Sequence, residues 1–545
     1  MCGFLAIDSK EFDLKTFDEA LAKCQDRGPD MTRVFDERGV TFGFNRLAIM
    51  DLTDSGMQPF ETLDCTLVCN GEIYNYPELK KNLETDYEFT SSSDCEVLIP
   101  LYRKYGIETM VKMLDREFSF ALYDHLSKTI YAAREIIGIR PMFYGFTKKD
   151  GKIAFASTGK NLLDLCGEIH PFLPGHYYDG EKIVAYHEPD ITPKMSTDDF
   201  ETATHKIHDL LVESVDQRLA SDAPVGYLLS GGLDSSLVCS IAARLQPDTK
   251  IRTFAIGMDQ NPIDLKYARE VADYLGTDHT EFIMTREDVL GVLREVIYTL
   301  ETWDITTIRA SIGMYILCKK IHETTDLKVI LTGECSDELF GYKCTDFAPS
   351  PEEFQKEAAK RLRELYMYDV LRADRCISAN SLEGRVPFAD REFVDYVMSV
   401  DPDLKMNHYH KGKYLLRKAF EEGDWLPRDI LMREKAAFSD AVGHSMVDDL
   451  KEYAESKYSD EDLAKAGEKY PYRTPFTKES LLYRDIFEEF YPGKADWIKD
   501  YWMPNRSWKS LESVTDPSAR VLSNYGASGE ENTKLKGPEL NPVLF

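Results

Sequence analysis

At 545 residues the chain is long enough for roughly two to four domains, and its 43% hydrophobic and 30% charged residues are those of a globular protein. The net charge of −29 argues against nucleic acid or an anionic membrane surface as a partner, since both want a basic face; a solvated acidic exterior is the plainer meaning. No apolar run approaches the ~20 residues of a bilayer span, Asp8 follows Met1 too soon for a secretory leader, and the eleven scattered cysteines hold no Cys-x-x-Cys pair, so a cytoplasmic protein with neither a disulfide framework nor a zinc site is expected.

The first informative stretch is Met1-Cys2-Gly3-Phe4. A cysteine is ordinarily a small buried hydrophobe. Position 2 differs, because removal of the initiator would put the thiol on the first residue, where an α-amine of pKa about 7.7–8.0 can serve as its base. Downstream, Thr66-Leu67-Val68-Cys69 reads as a strand running into Asn70-Gly71. Asn-Gly alone marks a hairpin turn. The alternative is an oxyanion hole in which the Asn70 amide and the Gly71 backbone N–H donate to a tetrahedral intermediate. Arg46 and Asp94 would then take the carboxylate and ammonium of an α-amino acid, although each taken singly is an ordinary surface charge.

Taken together, Cys2-Gly3, Arg27-Gly28-Pro29-Asp30, Arg46-Leu47-Ala48-Ile49, Cys69-Asn70-Gly71-Glu72-Ile73-Tyr74-Asn75 and Ser93-Asp94-Cys95-Glu96 resemble the glutaminase domain of the N-terminal-nucleophile amidotransferases. Ala133-Arg134, Gly138-Ile139-Arg140-Pro141 and Phe172-Leu173-Pro174-Gly175-His176-Tyr177 continue the likeness. The resemblance implies a four-layer αββα sandwich over 1–185 that hydrolyses glutamine at Cys2 to glutamate and ammonia. Arg46, Leu47, Ala48, Ile49, Met50, Asn70, Gly71, Glu72 and Asp94 would surround the glutamine.

Residues 186–200 are polar, hold two prolines and lack periodicity, which predicts a linker. Beyond it short apolar runs alternate with helical patterns. Strands are expected over Val225–Leu229, Ile251–Gly257, His279–Met284 and Lys328–Thr332, and a helix ending at Gly276 carries Leu265, Ala268, Val271, Ala272 and Leu275 on one face. Such alternation predicts an α/β domain with a doubly wound parallel sheet and ligands at the carboxyl ends of its strands.

The first of these strands runs into Leu229-Ser230-Gly231-Gly232-Leu233-Asp234-Ser235-Ser236, and a helix follows. Strand, Gly turn and helix start together aim backbone N–H groups at an anion, and Gly231 and Gly232 let the backbone come close to it. A plain turn is the bland alternative. No Gly-Lys-Ser/Thr closes the loop, so it is not a Walker loop. Ser-Gly-Gly-x-Asp-Ser instead resembles the pyrophosphate loop of enzymes that split ATP into AMP and pyrophosphate, with Asp234 as a Mg²⁺ ligand. The strand at Lys328–Thr332 runs into Gly333-Glu334-Cys335-Ser336-Asp337-Glu338, where three carboxylates in five residues are costly unless they meet a cation or stay solvated. Asp337 is the second candidate Mg²⁺ ligand, and Glu334 a candidate acid/base or substrate contact.

From Glu301-Thr302-Trp303-Asp304 to Asp516-Pro517-Ser518-Ala519-Arg520 the chain resembles the glutamine-dependent asparagine synthetases, and Thr306-Thr307-Ile308-Arg309, Arg385-Val386-Pro387-Phe388 and Phe438-Ser439-Asp440 sit in the expected order. The likeness implies a synthetase domain over 201–523 in which Leu229 and Ile256 contact adenosine, Thr332 and Gly333 line the nucleotide site, and Lys435 reaches the phosphates. Glu334 would be tied to a β-aspartyl-AMP intermediate. Glutamine, aspartate and Mg-ATP are the implied substrates and a homodimer the implied assembly. Cys335 and Ala436-Ala437 depart from the family pattern, and one of two glycines after Phe340 is absent, which puts the acceptor in question. Two alternatives stay open: an amide-forming synthetase of the β-lactam synthetase kind, against which the intact glutaminase residues count, and a non-catalytic scaffold. Residues 524–545 are polar and predict a mobile tail.

Overall fold

The computed structural model describes residues 1–37, 39–187, 194–259, 262–433 and 444–524. Two six-stranded antiparallel sheets come first. Gly3–Ile7 lies inside one of them, between Ile153–Ala156 and Val40–Arg46, and Cys65–Ile73 lies inside the other, beside Arg116–Asp124. Side chains alternate along each strand, as the pleat requires. Phe4, Ala6, Phe42, Phe44, Val68 and Ala121 fill the space between the sheets, while Leu67, Cys69, Phe118 and Phe120 point outward to the helices Tyr76–Leu83 and Leu98–Met113. Helix Leu14–Ala22 covers the other sheet through Phe17 and Leu21, against Leu5 and Ile7. The result is the expected αββα sandwich.

A parallel five-stranded sheet follows, in the spatial order Asp278–Met284, Arg252–Met258, Val225–Leu228, Val329–Leu331, Glu383–Arg385. Phe254, Ile256, Met258 and Ile330 face a helical layer that includes Arg286–Leu300, Ile305–Thr324 and Asp369–Ser378. Tyr227, Ala255, Val329 and Leu331 face the layer with Phe200–Gln217, Leu233–Leu245 and Ile263–Leu275. Burial on both faces makes Val225–Leu228, Arg252–Met258 and Val329–Leu331 short apolar runs legible in the sequence, whereas the edge strand Asp278–Met284 is mostly unburied and was legible only from the apolar residues at its end. Helix Ile263–Leu275 stops at Gly276, whose φ of 70° is the left-handed conformation of a helix cap. The fifth strand, Glu383–Arg385, is a correction to the predicted sheet: three residues, two of them charged, carry no strand pattern.

The order of neighbours reverses between Val225–Leu228 and Val329–Leu331. In a doubly wound sheet this switch point opens a crevice for ligands. The two loops singled out above, 229–236 and 332–338, both leave the sheet there.

The sandwich and the parallel sheet meet across buried charge. Arg27 grips Asp374 with two hydrogen bonds of 2.7 and 3.2 Å, Arg140 Nη1 donates to the Gly384 carbonyl at 2.9 Å, and the Glu301 carboxylate accepts from the backbone N–H groups of Gly159 and Lys160 at 3.0 and 2.8 Å. Of the linker, 188–193 lie outside the described residues, and 194–199 hold neither helix nor strand. Of the segment 524–545, only Asn524 is described.

Candidate active site

The strand Gly3–Ile7 and the strand Cys65–Ile73 bring the first constellation together. Asn70-Gly71 is not a hairpin turn: it lies inside a nine-residue strand paired along its length with Arg116–Asp124. Gly71 is required by contact, since a Cβ there would stand 2.2 Å from the Glu117 carbonyl oxygen. The Asn70 side-chain oxygen accepts from the Cys2 N–H at 3.0 Å, and its Nδ2 is buried with no partner among the described residues. A buried amide whose NH₂ group has no partner among these residues suits an oxyanion. The Cys2 thiol receives the Leu47 N–H at 3.4 Å. Burial pushes this thiol up to about 11, against the lowering pull of the nearby α-amine. Here that amine belongs to Met1, which is buried and lies 3.5 Å from Glu383 of the parallel sheet.

The other glutamine-site candidates are nearby but engaged. Arg46 donates to the carbonyls of Thr53, at 2.6 Å, and Asp51, so it shapes the loop after Met50. Ala48 N–H is held by Asp30 at 2.8 Å, and the Ile49 carbonyl accepts from Asp222 N–H at 3.1 Å. Asp94 accepts from Ile73 N–H at 2.7 Å; burial pushes its carboxyl up to about 6 despite that bond. Burial, with Asp94 next in weight, also raises Glu72, whose carboxylate lies 3.5 Å from Arg385.

The second constellation lines a cavity of about 250 Å³ at the switch point, where Leu229, Ser230, Gly232, Asp234, Ser235, Ile256, Thr332, Gly333, Glu334 and Asp337 converge. Ser230 and Ser235 hydroxyls meet at 2.9 Å, and Gly232 N–H is held by Ser230 Oγ at 3.3 Å. Gly231 has φ +70°, and a Cβ on it would stand 2.5 Å from the backbone of Tyr267 and Ala268. The hydroxyls of Ser236 and Thr332 are buried without partners among the described residues. Gly333 lets the two loops touch, since its Cβ would meet Ser235 N at 2.8 Å and Asp234 C at 2.9 Å.

Asp234 and Asp337, the two expected Mg²⁺ ligands, are brought together on a lysine: Lys413 Nζ lies 2.7 Å from Asp234 Oδ2, 2.6 Å from Asp337 Oδ1 and 3.0 Å from Ser336 Oγ. Two carboxylates on one ammonium form a site a divalent cation would also fit; among the described residues no group of three or more His, Cys, Asp or Glu could hold a metal. Glu334 is fixed by Arg372, 2.6 Å away, which also meets Asp369 at 3.1 Å. Arg433 caps the 230–236 loop, donating to the Gly231 carbonyl at 3.0 Å and lying 3.7 Å over the Tyr267 ring. Sequence reasoning missed Lys413, Arg372 and Arg433, and gave Arg385 no role of its own within the string Arg385-Val386-Pro387-Phe388. The cluster Lys411-Gly412-Lys413, a pair of lysines flanking a glycine, was the one available signal. Lys435, Ala436 and Ala437 lie outside the described residues.

Cys335, one of the expected departures from the family pattern, has the left-handed backbone that glycine favours, with φ +75° at the cap of the helix Ser336–Phe340. A side chain in this conformation costs about 1–2 kcal/mol. Gly341 at the other end of that helix has φ +102°.

Comparison with known proteins covers the same two regions. The family model described as glutamine amidotransferase domain matches residues 1–176, and that described as asparagine synthase matches residues 206–353 and 346–515. The chain is 40% identical over 570 residues to the glutamine-hydrolyzing asparagine synthetase of Mus musculus, covering 97% of this chain and 100% of that protein. It is 40% identical over 565 residues to that of Homo sapiens, covering 96% and 99%. To that of Gallus gallus it is 40% identical over 571 residues, covering 97% and 100%.

Proposed function

The chain belongs to the glutamine-hydrolysing asparagine synthetases, and on that premise we propose how its own residues divide the reaction. With Met1 removed, the α-amine sits on Cys2 and takes the thiol proton. The thiolate attacks the glutamine amide carbon, ammonia leaves, and water then releases glutamate. Asn70 Nδ2 and the Gly71 N–H hold the oxyanion, and Asp94 and Glu72 face the ammonium of the substrate. Arg46 orders the 46–50 segment that lines the pocket and takes the carboxylate.

At the second site an oxygen of the aspartate β-carboxylate attacks the α-phosphorus of ATP, and pyrophosphate leaves. The 230–236 loop cradles the phosphates, and Lys413 and Arg433 neutralise charge on the leaving group. Lys435 is assigned the same task by family likeness. Asp234 and Asp337 would hold Mg²⁺, which would add to that neutralisation when bound. Leu229 and Ile256 form the wall for the adenosine. Ammonia attacks the β-carbonyl carbon, AMP leaves with the activated oxygen, and Glu334, oriented by Arg372, accepts the proton ammonia sheds. Free ammonia in bulk water would be protonated and inert, so a sheltered path between the sites is part of the proposal, as are a homodimer and a cytoplasmic location. Among the described residues no helix is long and apolar enough to cross a membrane.

The meeting of carboxylates from two switch-point loops on Lys413 is the observation that carries the adenylating half. The left-handed Cys335 keeps the loop turn at this departure from the family pattern, which favours aspartate as the acceptor. The test uses aspartate labelled with ¹⁸O in its β-carboxylate. One label should appear in AMP, because the carboxylate oxygen that attacked phosphorus leaves with it. Label in inorganic phosphate, with ADP formed, would replace the acyl-adenylate by an acyl phosphate.

A further inference from the structure

The motif Asp516-Pro517-Ser518-Ala519-Arg520 has no part in the chemistry above, yet the chain returns through it to the synthetase cavity. Pro517, Ser518, Ala519 and Leu522 line that cavity together with Glu334 and Arg372. Both ends of the segment are fastened. At one end Asp516 lies 3.1 Å from Arg309 Nη1 and 2.6 Å from Lys451 Nζ. Arg309 is already held by Glu479 through bonds of 2.8 and 2.5 Å, so the contact secures Asp516 rather than the arginine. At the other end Asn524 Nδ2 donates at 2.9 Å both to the Lys343 carbonyl and to the Asp346 carboxylate, in the turn Lys343–Phe347 that follows the acidic loop and its helix. Between the fastenings the backbone is ordered by its own bonds, Ser518 N–H to Asp516 at 2.8 Å and Arg520 N–H to Ser518 Oγ at 3.3 Å.

Proline, alanine and leucine at a reaction cavity supply no acid, base or cation. They supply a dry wall. An acyl-adenylate waiting for ammonia is exposed to water, and excluding water is what such a wall does. We propose that residues 516–524 are a strap closing the synthetase cavity over the acyl-adenylate, with Asp516 the positioning residue that holds it shut against water. The inference rests on the acyl-adenylate reading above. When the strap is loosened, a water oxygen attacks the β-carbonyl carbon, the bond to the AMP oxygen breaks, and the water proton goes to solvent. Aspartate is regenerated, and the net reaction is ATP and water to AMP and pyrophosphate.

The test measures pyrophosphate and asparagine together, with saturating ammonium salt, in wild type, Asp516→Ala and Asn524→Ala. Wild type should give one pyrophosphate per asparagine. Each variant should give a several-fold excess of aspartate-dependent pyrophosphate and a several-fold higher KM for aspartate, with KM for ATP and glutamine hydrolysis unchanged. Variants keeping the one-to-one ratio and the wild-type KM for aspartate would overturn the strap. So would variants that lose both activities alike with a lowered melting temperature, since that is a purely structural role. Wild type that makes no aspartate-dependent pyrophosphate would instead overturn the adenylation reading, which separates the two failures.

Discussion

Asp94 shows how one buried group sets a pH dependence. Burial makes its ionised form costly, and its carboxyl is pushed up to about 6, above its ordinary value of about 3.9. A raised carboxyl is protonated, and so loses its hold on an ammonium, as pH falls through the shifted value rather than near 4. The KM for glutamine of the processed protein should therefore rise as pH falls through about 6, apart from the loss of rate that protonating the α-amine brings, and that limb checks the assignment. A limb near the ordinary carboxylate range would remove Asp94 from the ammonium contact. Cys2, Asn70 and Asp94 were legible in the sequence because each carries chemistry in a recognisable local string. Lys413, Arg372 and Arg433 were not, because their partners stand tens or hundreds of positions away: Asp234, Glu334 and the Gly231 carbonyl. Only the fold makes those pairs.

At the level of elements, the switch-point loops are shaped by backbone contact more than by side chains. Gly333 is where the two loops meet each other, because an added Cβ would strike backbone atoms of Asp234 and Ser235 at 2.9 and 2.8 Å, and backbone yields less readily than a flexible side-chain end. Gly333→Ala should push the two loops apart and weaken ATP binding at least tenfold, about 1.4 kcal/mol, with glutamine hydrolysis untouched. Nucleotide affinity by calorimetry decides it, and unchanged affinity would mean the loops do not need to touch. Three strands of the parallel sheet were readable as buried apolar runs, and the edge strand Asp278–Met284 only from the apolar residues at its end. Glu383–Arg385 was not, since its charges look solvated in sequence and are in fact paired inside the protein. That strand also touches both sites. Glu383 meets the Met1 amine, Arg385 reaches Glu72, and the Arg385 carbonyl accepts from Thr332 N–H at 3.0 Å.

Across the whole molecule, the two halves are joined by desolvated ion pairs, which resist removal of one partner more than they add in net stability. Arg27 holds Asp374 across the interface and also donates to the Cys2 carbonyl at 2.9 Å. Arg27→Ala leaves Asp374 buried with its main partner gone, a loss on the order of 3–5 kcal/mol. It should lower the melting temperature and release glutamate in excess of asparagine, because the interface that shelters ammonia loosens. A melting curve and a glutamate-to-asparagine ratio both equal to wild type would contradict this. One pair of incubations shows whether ammonia made at Cys2 is consumed at the switch-point cavity. Processed protein with glutamine, aspartate and Mg-ATP should yield glutamate, asparagine and pyrophosphate in equal amounts, while Cys2→Ala should make asparagine from an ammonium salt and none from glutamine. Glutamate without asparagine in the first tube, or glutamine-dependent asparagine from Cys2→Ala in the second, would contradict the account.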